Sequence, residues 1–230
     1  IGYNTGVANI NGGAWSGNNF GDGVSLKDST WTGYSNAEGL VLTLNNSTWN
    51  NTGSSKVQSV TANKGVVNMT NASSGDVTIA NYSGSMVVLY NHSIADDATS
   101  TMTGGKVVTV NGGNITIGSA AANSEITLRT DRNGLNLESS IYTDKNLVNA
   151  TLDALANKLF YTAYTTGESN LKGYVEIAEG LTASSVYQYV GDIAYSSSTG
   201  QGRLYGTGKP APVEPDIPTL DEDNAVVDKS

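Results

Sequence analysis

All three tryptophans of the chain end the same six-residue phrase. It reads INGGAW at Ile10 to Trp15, LKDSTW at Leu26 to Trp31 and LNNSTW at Leu44 to Trp49. Each phrase is an aliphatic residue, two polar or small residues, Ser or Gly, one small residue, then Trp. The Trp spacings are 16 and 18 residues. VNGGNI, Val110 to Ile115, fits the same frame with Ile in place of Trp. Looser relatives lie at Val60 to Met69, Val77 to Leu89 and Lys106 to Gly113. Self-similarity at a near-fixed period, about 16 to 19 residues here, is the mark of stacked structural units.

Within each unit the apolar residues alternate. Leu42/Leu44, Val77/Ile79 and Ile115/Ile117 stand at i and i+2, as a strand buried on one face requires. Asn-Gly, Gly-Gly, Asn-Asn and Ser-Gly pairs between them are turn signals. Short strands and turns at a fixed period describe a solenoid, in which a lone coil cannot bury its apolar face and stacked coils share one core. The expected fold is therefore all-β, a parallel β-helix, with a β-sandwich or jelly roll as the alternative. The drifting period and the absence of a hexapeptide rule favour the right-handed kind. Ile10, Trp15, Leu26, Trp31, Leu44, Trp49, Val110 and Ile115 are the expected repeat positions.

The composition agrees with strands and tight turns. Charged residues are only 14% and Gly numbers 27, against 4 Pro. Gly and Asn accept positive φ, and Val and Thr fit pleated surfaces. The formal charge of −9, with basic residues scattered, argues against nucleic acid. The absence of Cys removes disulfides, thiol nucleophiles and thiolate metal sites. No apolar run reaches the ~18 residues of a membrane-spanning helix. The first residues carry no signal-peptide pattern and begin in mid-repeat, so a fragment of a longer protein is expected.

After about Glu125 the texture changes. Val148, Leu152, Leu155 and Leu159 fall at i, i+4, i+7 and i+11, one face of a helix expected near 145–161, with Asp144 as its N-cap. An open solenoid end needs an atypical unit to close it. Residues 139–208 are assigned to such a cap and 1–138 to the coils. Residues 209–230 hold all four prolines and a cluster of acids, as an extended linker does.

The series of LxxSxW coils, VQSVTANKGVVNM, the LTASSV to GDIAY stretch and an acidic Pro-rich linker resembles the passenger region of bacterial autotransporters, of the pertactin-like and adhesin-like kind. The resemblance covers 1–208 as passenger and cap, with 209–230 as linker. It implies display at the bacterial cell surface, export as an unfolded chain, folding from the C-terminal end and an outer-membrane β-barrel following in the parent protein. Zero Cys suits such export.

No catalytic set is legible, and no catalytic residue is carried over from the family. His92 is the single histidine, with Asp96 and Asp97 nearby. Glycoside cleavage needs two carboxyl groups facing one bond, and adjacent strand residues point to opposite faces. No G-x-S-x-G elbow is present, zinc spacing is absent, and Asn18 to Leu26 echoes a calcium-binding coil only once. The expected function is a non-enzymatic adhesin or stalk whose C-terminal cap aids folding, without cofactor. Its partner is a host-surface or matrix ligand, or another copy, on an otherwise monomeric rod. A β-helix polysaccharide lyase or hydrolase and a phage tail-spike-like fibre are the alternatives. Nine Asn-x-Ser/Thr sequons begin at Asn45, Asn46, Asn50, Asn68, Asn71, Asn81, Asn91, Asn114 and Asn149.

Overall fold

A computed structural model describes residues 6–135, 141–163, 170–178, 180, 185–196 and 201–205. Each Trp phrase folds as two short strands around a corner. They are β1 (Val7–Asn11) and β2 (Ala14–Ser16), β3 (Gly23–Lys27) and β4 (Thr30–Gly33), then β5 (Val41–Asn45) and β6 (Thr48–Asn51). The corner residue is left-handed every time: Gly12 at φ 70°, Asp28 at 50°, Asn46 at 46°. A fourth corner, Lys64 at φ 51°, lies inside the longer β7 (Ser55–Asn68). Left-handed backbone costs a non-Gly residue about 1–2 kcal/mol, least for Asn and Asp, whose short polar side chains can bond locally. Here the Asn46 amide donates to Asp28 Oδ1 at 2.8 Å, tying one corner to the next.

The corners keep the units in register. Ile10 pairs with Leu26, Leu26 with Leu44 and Leu44 with Ala62, all in parallel. Trp15 pairs with Trp31, Trp31 with Trp49 and Trp49 with Val67. The indoles stack at centroid distances of 5.5 and 4.9 Å. Trp31 Nε1 donates to the Gly17 carbonyl at 2.8 Å, and Trp49 Nε1 to the Gly33 carbonyl at 2.9 Å. A glycine two residues after each of the first two Trps lets the next ring approach; a Cβ on Gly33 would meet both Gly17 O and the Trp31 ring. Trp31 and Trp49 are fully buried. Removing that much apolar area from water contributes about 4–6 kcal/mol per ring as an upper estimate.

The Ser of the phrase is buried as well. Ser47 Oγ accepts from Ser29 N at 3.1 Å and donates to Asn45 O at 2.7 Å, while Ser29 Oγ accepts from Gly13 N at 3.2 Å. A second internal polar ladder links Asn19 to Ser35 and Ser35 to Ser55. These small side chains satisfy backbone groups that the corners would otherwise leave unpaired.

Beyond β7 follow β8 (Val77–Asp96), a 3-10 turn at Thr101–Thr103, β9 (Lys106–Asn111), β10 (Ile115–Ala120) and β11 (Ser124–Asp131). Then come α1 (Ile141–Ala156), β12 (Leu159–Tyr161), β13 (Leu171–Ala178), β14 (Ser185–Ser196) and β15 (Gln201–Tyr205). The expected right-handed parallel β-helix with a C-terminal capping module containing one α-helix is corrected here. The fold is mostly β with one helix. Seven strands run parallel in the order β1-β3-β5-β7-β8-β10-β12, and the sheet they form is nearly closed and barrel-like. From β12 the path continues antiparallel through β15, β14 and β13, then parallel to β11, which pairs with β8 again. The physical reason is that alternation and repeat length specify which strand pairs with which, while the curvature of the finished sheet depends on the long strands. The 14-residue β7 and 20-residue β8 each pair along two tracks and bend the sheet.

The helix differs from expectation at both ends. It begins at Ile141, so Asp144 lies inside it and is not its N-cap, and it stops at Ala156. Val148, Leu152 and Leu155 are buried on one face, with Thr151 Oγ1 bonded back to Leu147 O at 2.8 Å. Leu159, expected on that face, instead opens β12 and pairs with Ile115. Helix and sheet residues belong to one hydrophobic core reaching from Val24 to Ile177. The expected linker, 209–230, lies outside the described residues.

Candidate functional site

The repeat positions divide into two groups. Ile10, Leu26 and Leu44 form one ladder, and Trp15, Trp31 and Trp49 another. Ile10 and Trp15 are half-buried, at the first strands of the sheet. Val110 and Ile115 are not on these ladders. Val110 lies in β9, antiparallel to β8 opposite His92; Ile115 lies in β10, between Val77 and Leu159. The VNGGNI phrase matches in residue type but folds as a turn between two unlike strands. The fourth true rung is Ala62 to Val67 around Lys64, which has no Trp to betray it.

The residues weighed for chemistry do not converge. Asp96 is exposed and ion-paired with Lys106 at 2.5 Å, which lowers its pKa. Asp97 closes a turn: its Oδ1 accepts from Thr99 N at 3.0 Å and Thr99 Oγ1 at 2.7 Å, and its Oδ2 from Ser100 Oγ at 3.0 Å. These hydrogen bonds hold its carboxyl below the usual range. His92 points elsewhere. Its Nδ1 is 2.9 Å from Thr130 Oγ1 and 3.9 Å from Asp131 Oδ1. Its Nε2 is buried with no hydrogen-bond partner among the described residues. Burial pushes its pKa down, against the Asn133 carbonyl and the Asp131 charge, which raise it.

His92 thus sits beneath the end of β11. Above it is a shallow cleft of about 350 Å³ lined by Asp131, Arg132, Asn133 and Gly180. The pairing of His92 with Thr130 and Asp131 was not legible in the sequence, because their juxtaposition depends on β8 meeting β11. Side-chain exposure of His92 is 0%, so it cannot reach a substrate proton as a general base must. The cleft offers a carboxylate, a guanidinium and an amide at the surface: groups that recognise a polar ligand.

Two other titratable clusters are structural in their bonding. Arg129 on β11 bonds Glu176 on β13, and Glu176 is buried. Lys158 Nζ donates to Gly112 O at 2.6 Å and lies 5.9 Å from the Tyr90 ring centre. Burial lowers its pKa, against the pull of Asp76. Tyr90 OH donates to Gly113 O at 2.8 Å, and burial pushes its pKa far above the ordinary phenol value. Among the described residues no group of three or more His, Cys, Asp or Glu could hold a metal ion, and no helix is long and apolar enough to cross a membrane. No protein-family model matches the chain, and neither a curated protein nor a solved structure does.

Proposed function

We propose that the chain is a non-enzymatic cell-surface passenger segment of an autotransporter, acting in adhesion, with its C-terminal part aiding folding during export. The observation that carries this reading is the asymmetry of the sheet. At the N-terminal side β1 and β2 each pair with one described neighbour, β3 and β4 respectively. Toward the C-terminal side the path returns to β8. Such a sheet has a closed part that can form first and an open part that grows by adding strands to an existing edge. Export from the C-terminal end outward would deliver strands in that order. The polar side chains also suit a passenger. Buried Ser29, Ser47, Ser35 and Ser55 are committed to ladders within the sheet, and the carboxylates considered for catalysis are bound to Lys106 or closed into a turn. The partner is then a host-surface or matrix ligand, met at the cell surface.

The test is display. Fused ahead of an outer-membrane β-barrel and expressed in bacteria, the chain should be cleavable by protease added to intact cells. It should also raise adhesion to matrix-coated surfaces above that of the barrel alone. Retention in the periplasm, or surface display with no gain in adhesion to any matrix protein tried, would count against the reading.

A further inference from the structure

Three Asn-Gly pairs occur in the chain, at Asn11-Gly12, Asn111-Gly112 and Asn133-Gly134. Such a pair is reactive in itself. The glycine's backbone nitrogen closes a five-membered ring if it meets the asparagine's carboxamide carbon, and no Cβ on the glycine shields it. Whether that ring forms depends on how freely the two groups turn toward each other.

The fold restrains two of the pairs. Asn11 lies in β1 level with Lys27, and Gly12 N donates to Lys27 O at 2.9 Å. That bond must open before the nitrogen can attack. Asn111 ends β9 level with Asn91. Gly112 beside it is half-buried, and its carbonyl accepts from Lys158 Nζ at 2.6 Å. A Cβ on Gly112 would stand 2.8 Å from Met69 O, so its backbone is packed against the residue that follows β7.

Asn133-Gly134 is held by its own turn. The pair follows β11, and Leu135 N donates to Arg132 O at 2.8 Å across it. Gly134 has φ +80°, as the third position of a type II turn requires. Both residues are exposed. Asn133 N donates to Asp131 Oδ1 at 3.2 Å, but neither the Asn133 carboxamide nor Gly134 N bonds to a described residue. The attacking nitrogen and the carbon it attacks are thus in one exposed turn, and no such bond has to open first.

From this contrast we infer that Asn133 is a site of spontaneous deamidation in the folded chain, with water as the reactant and no enzyme required. Gly134 N attacks Asn133 Cγ, and a carbon–nitrogen bond forms. The bond from Cγ to Nδ2 breaks, and its electron pair leaves as ammonia with the proton that Gly134 N gives up. Water then opens the succinimide. Opening at Cγ gives aspartate. Opening at the Asn133 backbone carbonyl gives isoaspartate, with the chain running through the side chain. The reaction is slow beside folding, so it acts on the finished fold. Its product changes the cleft at the end of β11. Asp131, Arg132, residue 133 and Gly180 then supply two carboxylates and one guanidinium, in place of one of each and an amide. The isoaspartate form also adds a methylene to the turn that leads into the buried Leu135.

The test ages the folded full chain in mildly alkaline buffer beside the chain denatured in guanidinium chloride. Peptide mapping by mass spectrometry follows amide-to-acid conversion at each asparagine. The denatured chain should convert at all three pairs at similar rates. The folded chain should convert at Asn133 about tenfold faster than at Asn11 or Asn111, the factor that opening one backbone hydrogen bond puts on a rate. An isoaspartyl methyltransferase should label the aged folded chain and aged Asn111→Gln, but not aged Asn133→Gln. Equal rates at the three pairs of the folded chain, undiminished labelling of Asn133→Gln, or a folded chain unchanged at Asn133 while the denatured one converts there would each overturn the assignment.

Discussion

The Trp-bearing units and the closed part of the sheet are made of similar alternating strands, yet they hold together differently. In the first region every rung repeats the one before it. Trp31 lies between Trp15 and Trp49, Leu26 between Ile10 and Leu44, and each inner unit depends on its two neighbours. In the second, contacts join distant stretches: Val77 meets Ile115, Ile115 meets Leu159, and Leu128 lies between Val88 and Val175. Near-neighbour stacking gives stability that adds unit by unit and fades toward an open end. A path that closes gives stability that is all-or-none but slower to form, since long loops must close first. The two regions meet where β7, which pairs with β5 and β6, lies against β8, which pairs with β10 and β11.

That comparison is broken most severely at the junction. Gly84 in β8 has φ +98°, and a Cβ there would fall on the Ala62 carbonyl oxygen of β7. Gly84→Ala should destabilise the fold by at least about 4 kcal/mol, or prevent folding, because neither backbone can retreat without parting β7 from β8. Urea unfolding followed by circular dichroism checks it. A loss of under about 1 kcal/mol would mean that the two regions are not joined there.

Next in size is the ladder. Trp31→Ala should cost about 3–5 kcal/mol, since a ring buried between two others leaves a cavity. Trp15→Ala, from a half-buried ring, should cost about half as much. Equal losses in the two variants would show that the stack does not fade toward β2. Within the closed part, Arg129→Met leaves the buried Glu176 carboxylate without its guanidinium. It should cost about 2–3 kcal/mol, discounted from a fully buried pair because Arg129 retains 19% exposure. Proteolysis in such a variant should begin at the β11–β13 side, with the Trp units still protected.

The smallest effect is that of pH. His92 carries a folded pKa below the ordinary imidazole value of about 6.5, because burial disfavours the imidazolium. The unfolded chain therefore binds more protons between the two values, and stability falls as pH drops below about 6.5. Above it the contribution is fully present. Comparing urea midpoints at about pH 7.5 and pH 5, wild type should lose more stability than His92→Leu. Parallel losses would remove His92 from the account.

Much of the first region is legible in the sequence. Ile10, Leu26 and Leu44, and the three Trps, are partners because the repeat brings like residues level. The left-handed corners were also signalled, by Gly12, Asp28 and Asn46 at one place in the phrase. The fourth corner was not, since Lys64 is not Gly, Asn or Asp. The closure of the sheet was illegible for a different reason. Alternation in β8 looks the same whether its neighbour is one repeat away or lies at Ile126, across two intervening strands. Leu159 shows the same limit: its spacing from Leu155 fits a helix, but pairing with Ile115 wins. Thr130 and Asp131 beside His92 carry no local mark at all, being brought there by β8–β11 pairing.

Native-state hydrogen exchange tests the central claim most directly. If the closed part is the stable body on which the Trp units stack, amide protection should be highest in β8, β11 and β13. It should then decline stepwise through β7, β5 and β3 to β1. Uniform protection along the whole sheet, or protection that is higher in β1 to β4 than in β8, would contradict it.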